Sequence, residues 1–211
     1  MGIWKELLDF VFPPSCVLCG ENGTHPLCRS CMGKIEIDPV CSTKMGLTVT
    51  SFSKYEDATR TILARFKYDF QEQVGVIIAD LMTPYLSTLA PRILVPVPLH
   101  FVKIRQRGFN QSAIIAKRLS KNLGWKYTPR LIIRQRNTKP QFELDDEERL
   151  ANVEKAFARY PFATIHPDHP YMLVDDIVTT GATLASCAKT LKESGVTRIE
   201  GLTFARARNV N

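Results

Sequence analysis

Residues 171–183 read YMLVDDIVTTGAT, and this stretch decides the fold. Its apolar start, which follows Pro170, is typical of a buried parallel strand. Two acids and a small polar loop come next. Apolar residues then recur at helical spacing, at Leu184, Cys187, Ala188 and Leu191. The acids and the loop therefore lie where a strand passes into a helix, and in open α/β sheets such junctions form the crevice in which ligands bind.

The polar loop has the chemistry of a phosphate site. Free backbone N–H groups at the start of a helix, together with the helix dipole, hold a phosphate dianion. Thr179, Thr180 and Thr183 add hydroxyl donors, and Gly181 and Ala182 leave room for the backbone to approach the phosphate oxygens. We therefore expect these five residues to bind a phosphate group.

The two acids, Asp175 and Asp176, call for a different partner. An ionised carboxylate only accepts hydrogen bonds, so it needs donors and not a phosphate. Adjacent sugar hydroxyls, separated from a 5′-phosphate by a ribose ring, satisfy this requirement. The alternative is an Asp-rich turn in which acids and threonines merely cap a helix. Capping needs one such residue, and this loop carries several.

The charge of the chain is unevenly distributed. The formal net charge is +7, and residues 92–139 contain twelve Lys or Arg and no Asp or Glu. Residues 143–154 then contain six acids and one Arg. The basic block predicts an anionic partner, and pyrophosphate, a phosphorylated sugar and nucleic acid all fit. The alternative is a set of separate lysines that face only water.

Four of the six cysteines form two pairs, Cys16-x-x-Cys19 and Cys28-x-x-Cys31, with eight residues between the pairs. In a protein without a secretory signal this spacing is typical of one structural Zn²⁺ held by four thiolates. The alternatives are reduced or disulfide-bonded pairs, or His25 in place of one cysteine. Cys41 stands alone and is predicted to bind no metal, and Cys187 is interpreted as a core residue.

Residues 92–98, RILVPVP, are predicted to form the first buried strand of the nucleotide-binding core, and the prolines end its sheet ladder at the carboxyl end. A basic loop follows and leads into a helix that contains Ala113, Ile114, Ala116 and Leu119. This loop carries Arg105, Arg107, Gly108 and Asn110, and it is expected to face the same crevice as Asp175. A pyrophosphate attached to ribose C1 would lie there. A further polar segment, residues 134–149, is predicted to be a lid.

The predicted architecture is an α/β fold, with a parallel sheet flanked by helices and a small N-terminal zinc module. We place the module, with a short amphipathic helix before it, at residues 1–46 and the main domain at residues 47–211. The sequence has no apolar run of about eighteen residues and thus no predicted transmembrane segment. We expect a cytoplasmic protein, free or peripheral to the inner face of the membrane.

The acids and threonine loop resemble the PRPP-binding motif of type I phosphoribosyltransferases. Together with the cysteine pairs, the Val-Pro-Val-Pro strand, the Arg-Gly-Phe-Asn-Gln element at residues 107–111 and Arg-x-x-Asn-Val at residues 149–153, they resemble the ComF family over essentially the whole chain. That family joins an N-terminal zinc finger to a phosphoribosyltransferase-like domain. The chain departs from it at Cys41, where many relatives carry a complete second cysteine pair.

The resemblance implies a role in natural transformation: handling incoming single-stranded DNA beside a helicase-like ATPase of the competence machinery. Two hypotheses remain open. In the first, the protein is an enzyme: Asp175 and Asp176 hold the ribose hydroxyls, Mg²⁺ bridges the ribose hydroxyls and pyrophosphate, and Arg105 and Arg107 offset charge on the departing pyrophosphate. In the second, PRPP is a bound ligand or signal, while a surface bearing the aromatic residues Phe101, Phe109, Trp125 and Tyr127 binds single-stranded DNA. A PRPP-responsive transcription regulator is disfavoured because no helix-turn-helix is recognisable.

Overall fold

The computed structural model describes residues 15–23, 25–69, 71–135 and 156–207. In chain order the helices and strands are α1 (Arg29–Met32), β1 (Val40–Lys44), β2 (Leu47–Lys54), α2 (Asp57–Tyr68), α3 (Glu72–Leu86), β3 (Ile93–Pro96), α4 (Phe101–Arg107), α5 (Gln111–Leu123), β4 (Ile132–Arg134), β5 (Phe157–Arg159), β6 (Tyr171–Val178), α6 (Ala182–Glu193) and β7 (Ile199–Arg206).

The main sheet has five strands in the order β1-β2-β7-β6-β3. Strands β2, β7, β6 and β3 are parallel, and β1 joins the edge as an antiparallel partner of β2. Strands β4 and β5 form a separate antiparallel pair. The sheet is therefore mainly parallel, so the carboxyl ends of β3 and β6 lie side by side at one edge.

Strand β6 shows why helices cover both faces of this sheet. Its alternate residues enter different cores: Met172 and Val174 pack with helices α2, α3 and α5, and Tyr171 and Leu173 pack with α6 and the β4–β5 pair. All four side chains are almost fully buried. A strand buried on both faces reads as a continuous apolar run, as the sequence of this strand does. The predicted α/β class is confirmed.

The cysteine-bearing segment packs into the same hydrophobic core as helix α2. Cys16, Leu27, Cys31 and Ile35 belong to the core cluster that includes Phe66 of α2. The N-terminal amphipathic helix predicted before Pro13 lies outside the described residues. The division at residues 46 and 47 stays a prediction, and the β1–β2 hairpin spans it.

Candidate functional site: a crevice at the carboxyl ends of β3 and β6

An acid pair, Asp175 and Asp176, lies near the end of β6 on the crevice. Asp175 Oδ1 accepts hydrogen bonds from Ser112 Oγ at 2.8 Å and from the backbone N–H of Asp176 at 2.9 Å. Asp176 is 6% exposed and forms an ion pair with Lys67, whose Nζ is 2.8 Å from Asp176 Oδ2. Both acids thus have partners from helices α5 and α2, which are distant in sequence.

The ionisation of this pair is strongly perturbed. Burial and the negative charge of Asp176 raise the pKa of Asp175 to about 7, although Ser112 and Lys67 oppose the shift. Burial lowers the pKa of Lys67, but the charge of Asp176 outweighs it and the pKa is raised overall. Lys67 therefore stays protonated and neutralises one of the two carboxylates.

The threonine loop begins helix α6 as the sequence predicts. Gly181 is the residue before the helix and has φ +91°, a left-handed conformation that favours glycine. No acidic residue lies in the first turn of the helix. The backbone N–H of Ala182 donates to Thr180 Oγ1 at 3.4 Å. The loop therefore presents a helix N-terminus of the kind that binds phosphate.

Lys44 is a residue that the sequence analysis missed at this loop. A Cβ atom on Gly181 would lie 2.7 Å from Lys44 Cβ, so the β1–β2 hairpin closes directly over the loop. Only the pairing of β1 with β2 brings Lys44 there. No sequence spacing relates the two residues.

The segment after β3 differs from the predicted loop, because residues 101–107 form helix α4, which has no buried residue. Within the following turn, Asn110 Nδ2 donates to the carbonyl of Val97 at 2.9 Å, and Asn110 Oδ1 accepts from the N–H of Ser112 at 3.1 Å. Asn110 thus fixes the turn after β3 and the start of α5. Its predicted contact with PRPP stays a prediction, and so does that of Gly108.

Basic side chains converge above the acids. Burial, and the positive charges of Arg134 and Arg107, lower the pKa of Lys103. The charge of Lys67 contributes to the same shift. The guanidinium of Arg107 lies 5.5 Å from the ring centre of Tyr68, and its Nη1 donates to Gln111 Oε1 at 3.4 Å. Lys67, Lys103, Arg107 and Arg134 therefore form a cluster, which we call the cation cluster.

Two further observations concern this cluster. Arg105, which the sequence analysis grouped with Arg107, is exposed, and none of the pKa shifts in the cation cluster involves it. Gln111 is 2% exposed, and its Nε2 has no hydrogen-bond acceptor among the described residues. A buried amide donor without an acceptor is costly, and a bound anion beside Arg107 would supply one.

The aromatic residues proposed for DNA stacking separate into two groups. Phe109 stacks on Phe66 with ring centres 5.6 Å apart, Trp125 is 6% exposed, and Tyr127 packs at the edge of the same core. Phe101 is 60% exposed on α4. Three of the four therefore have a packing role, and Tyr68, at 65% exposure, joins Phe101 as an exposed aromatic near the crevice.

The four paired cysteines come together as predicted. The Sγ atoms of Cys16, Cys19, Cys28 and Cys31 all lie within 4.8 Å of one another, and those of Cys19 and Cys28 are 3.8 Å apart. Four thiolates bound tetrahedrally at about 2.3 Å from Zn²⁺ have sulfurs about 3.8 Å apart, so the cluster fits the ion.

Within the cluster the Cys16 thiol is favoured as the thiolate, whereas the pKa values of Cys28 and Cys31 are raised. Burial raises the pKa of the Cys16 thiol, but backbone N–H donors from Cys28 and Cys19 lower it to about 6, which favours the thiolate. The single metal-ligand cluster among the described residues consists of these four cysteines, so His25 is not a member. Cys41 is exposed on β1, away from them, and Cys187 is buried in α6, as expected of a core residue.

The predicted lid lies mostly outside the described residues. Of the predicted lid, the described residues include only Arg134, the last residue of β4, and Gln135. Helices of the described part include none that is long and apolar enough to cross a membrane.

One family model and several known proteins are similar to this chain. Residues 7–58 match the double zinc ribbon domain family. Competence protein F of Haemophilus influenzae is 29% identical over 98% of this chain and 89% of that protein. Competence protein ComFC of Bacillus subtilis is 28% identical over 85% of this chain and 72% of that protein. The resemblance to the ComF family is confirmed.

Further known proteins are similar to this chain. The DNA utilization protein YhgH of Salmonella typhimurium is 27% identical over 88% of this chain and 81% of that protein. Among solved structures, a hypoxanthine phosphoribosyltransferase of Staphylococcus aureus covers 66% of this chain and 76% of that chain at 14% identity, with a TM-score of 0.43. An adenine phosphoribosyltransferase of Thermoanaerobacter pseudethanolicus covers 83% and 99% at 13% identity, also with a TM-score of 0.43. The α/β fold of this chain rests on the strand order and registers described above.

Proposed function

We propose that the crevice binds PRPP together with Mg²⁺, and that the protein uses this site in DNA uptake, where it handles single-stranded DNA. One observation carries the proposal. The acid pair at the end of β6, just before the threonine loop, contacts Lys67 of the cation cluster. The charge of Arg107 acts on Lys67, and the charges of Arg134 and Asp175 act on each other. Donors for one phosphate, acceptors for sugar hydroxyls and cations for further phosphates are thus present within one crevice.

Each part of PRPP has a chemical counterpart in this site. The N-terminus of α6 and residues 179–183 would hold the 5′-phosphate. Asp175 and Asp176 would accept hydrogen bonds from the ribose hydroxyls once Asp176 exchanges its present partner, Lys67. Arg107 and Lys103 would face the pyrophosphate. Mg²⁺, bound together with PRPP, would offset the negative charge of its phosphates and keep several waters.

The role in DNA uptake is supported by the names of the relatives, which include competence proteins and DNA utilization proteins. The basic block between residues 92 and 139 supports a nucleic-acid surface, because cations along a phosphate backbone release counterions on binding. Phe101 and Tyr68 are exposed next to Arg105 and Arg107 and would suit stacking with unpaired bases. A competence helicase-like ATPase is the partner that we propose for this step.

The alternative function is an active phosphoribosyltransferase with an unidentified acceptor. The same acids would hold the ribose while C1 takes on oxocarbenium character, and Arg107 with the neighbouring Arg105 would offset charge on departing pyrophosphate. Catalysis would come from positioning and electrostatics and not from a protein nucleophile. The buried Asp176 beside the half-buried Asp175 favours this alternative, because exclusion of water strengthens such interactions.

Two measurements test the proposal and separate it from the alternative. Steady pyrophosphate release with a panel of amine and base acceptors would favour the transferase, whereas tight PRPP binding without release favours a binding protein. Affinity for a single-stranded oligonucleotide should fall steeply as salt rises, and the Phe101→Ala variant should lose about 1 to 3 kcal/mol of binding. Affinity that is independent of salt would contradict the basic surface as a DNA contact.

A further inference from the structure

Lys67 is the residue of the crevice that no motif pointed to. It lies in the last turn of α2, and its neighbours in that turn contact the segment after β3: Phe66 stacks on Phe109, and Tyr68 lies beneath the guanidinium of Arg107. Lys67 itself reaches Asp176, and its side chain is 20% exposed. Three consecutive residues thus join α2 to both sides of the crevice.

A surface pocket lies on the opposite side of the same turn. Arg65 and Asp69 line a cavity of about 390 Å³ between α2 and the loop that carries Cys16 and Cys19. Arg65 and Asp69 form an exposed ion pair across this side at 2.7 Å.

The position of Lys67 conflicts with a ribose bound to the acid pair. Asp176 is 6% exposed, and its Oδ2 is already paired with the Lys67 ammonium at 2.8 Å. A sugar hydroxyl reaches that carboxylate only if the ammonium moves aside. A long and flexible lysine side chain makes such a movement without a change in the backbone.

A bound anion would give Lys67 a partner on the side of the crevice that follows β3. The charges that perturb it besides the two acids include Arg107, and Lys67 in turn lowers the pKa of Lys103. Both of these residues lie on the side of the crevice that follows β3. An ammonium that leaves Asp176 in this direction meets two other cations, which is unfavourable unless an anion lies between them.

We propose that Lys67 exchanges partners when the ligand binds: its ammonium leaves Asp176 for the pyrophosphate oxygens of PRPP, and Asp176 is freed to accept from the ribose hydroxyls. This inference rests on the proposed function, and it adds a ligand-binding residue to the site. In the free protein, Lys67 would act as a counter-ion that offsets the charge of the acid pair and holds it in position. It also couples recognition of the sugar to recognition of the pyrophosphate.

The test compares two ligands that share the sugar and the 5′-phosphate but differ in the pyrophosphate. PRPP and ribose 5-phosphate, each with Mg²⁺, are titrated calorimetrically into the full chain and into the variants Lys67→Met and Lys67→Arg. Lys117→Met is the matched control, since Lys117 is an exposed lysine of α5. Thermal unfolding of each variant establishes the temperature range in which it is folded.

We expect Lys67→Met to weaken PRPP binding at least about tenfold, because a charge-assisted hydrogen bond to the pyrophosphate is lost. Ribose 5-phosphate affinity should change less than about threefold, and Lys67→Arg should restore most of the PRPP affinity. Equal losses for both ligands, or no loss for PRPP, would overturn the exchange while leaving PRPP binding intact. A folded wild-type chain that binds neither ligand would overturn the proposed function along with it.

Discussion

The cysteine cluster and the crevice differ in how their residues are distributed along the chain. The cluster is built from residues 16–31, whereas the crevice combines Lys67, Ser112, Arg134 and Asp175. The spacing of ligands on two tight loops is enough to specify a metal site. A crevice at the edge of a sheet depends on strand order and helix packing, which the sequence displays only indirectly. A site built from residues close together in the sequence can therefore be predicted from their spacing, whereas the distant residues that complete a crevice cannot.

The largest expected effect is at the cysteine cluster. Cys31→Ala removes a buried ligand, and we expect loss of Zn²⁺ and of most of its contribution to folding, on the order of 10 kcal/mol for a structural site. Metal analysis and thermal unfolding measure both. Cys41→Ala is the matched control and should leave one equivalent of metal, because Cys41 lies outside the cluster. Retention of metal in Cys31→Ala would show that the cluster does not hold it.

In the crevice, the largest effect on stability comes from the half-buried acid Asp175. Its pKa is raised from 3.8 to about 7 in the folded protein, so the folded state binds the proton more tightly than the unfolded state does. The folded state therefore loses stability as pH rises from about 4 to about 7, by about 1.4 kcal/mol for each unit of pKa difference.

Chemical denaturation across this pH range measures the slope. The Asp175→Asn variant, which has no titrating group at this position, should lack the contribution and gain stability relative to wild type at pH 8. A wild-type stability that rises steadily between pH 4 and pH 7 at the same rate as that of the variant would contradict the raised pKa.

A smaller effect is expected at the threonine loop. Gly181→Ala should cost about 2 to 4 kcal/mol, because it combines a left-handed backbone with a Cβ placed 2.7 Å from that of Lys44. Gly195→Ala is the matched control: its φ is +94°, but nothing lies within 4 Å of the added Cβ, so only the backbone term of about 1 to 2 kcal/mol remains. Equal losses would show that the hairpin does not close over the loop.

The smallest effect separates the two groups of aromatic residues. Phe101→Ala should change the free energy of unfolding by less than about 0.5 kcal/mol, because the ring is 60% exposed. Phe109→Ala should cost about 2 kcal/mol or more through the lost stack on Phe66. Urea denaturation compares them directly. A larger loss at Phe101 would place that ring in a contact that the described residues do not include.

Much of the fold follows from local patterns. The alternation of Met172 and Val174 with Tyr171 and Leu173 predicts a strand buried on both faces, and the glycine before α6 marks the strand-to-helix turn. The exact start and end of strands and helices shift by a few residues, as for the predicted strand 92–98, which is observed as Ile93–Pro96. Helix α4 was missed because it buries no side chain, so its apolar residues follow no core-facing period.

The motif residues of the site are predictable from the sequence, whereas the residues that contact them are not. The residue types and spacing of Asp175, Asp176 and the threonine loop identify them in the sequence. Ser112 and Lys67 lie on amphipathic helices without a motif, and only helix packing brings them to the acids. Arg107 was predicted to face the crevice and its charge does act on Lys67 there. One signal for Lys67 was available: it follows the buried Phe66 at the polar end of α2, where a lysine near a sheet edge can reach a neighbouring loop.

The central claim is that the acid pair and threonine loop form a PRPP site, and direct titration tests it. PRPP with Mg²⁺ is titrated calorimetrically into the wild-type chain, into the Asp175→Asn, Asp176→Asn double variant, and into Asp69→Asn as an exposed control. The account predicts saturable binding by the wild type and the control, with affinity reduced at least about a hundredfold in the double variant. Equal affinity of the double variant and the wild type would contradict it.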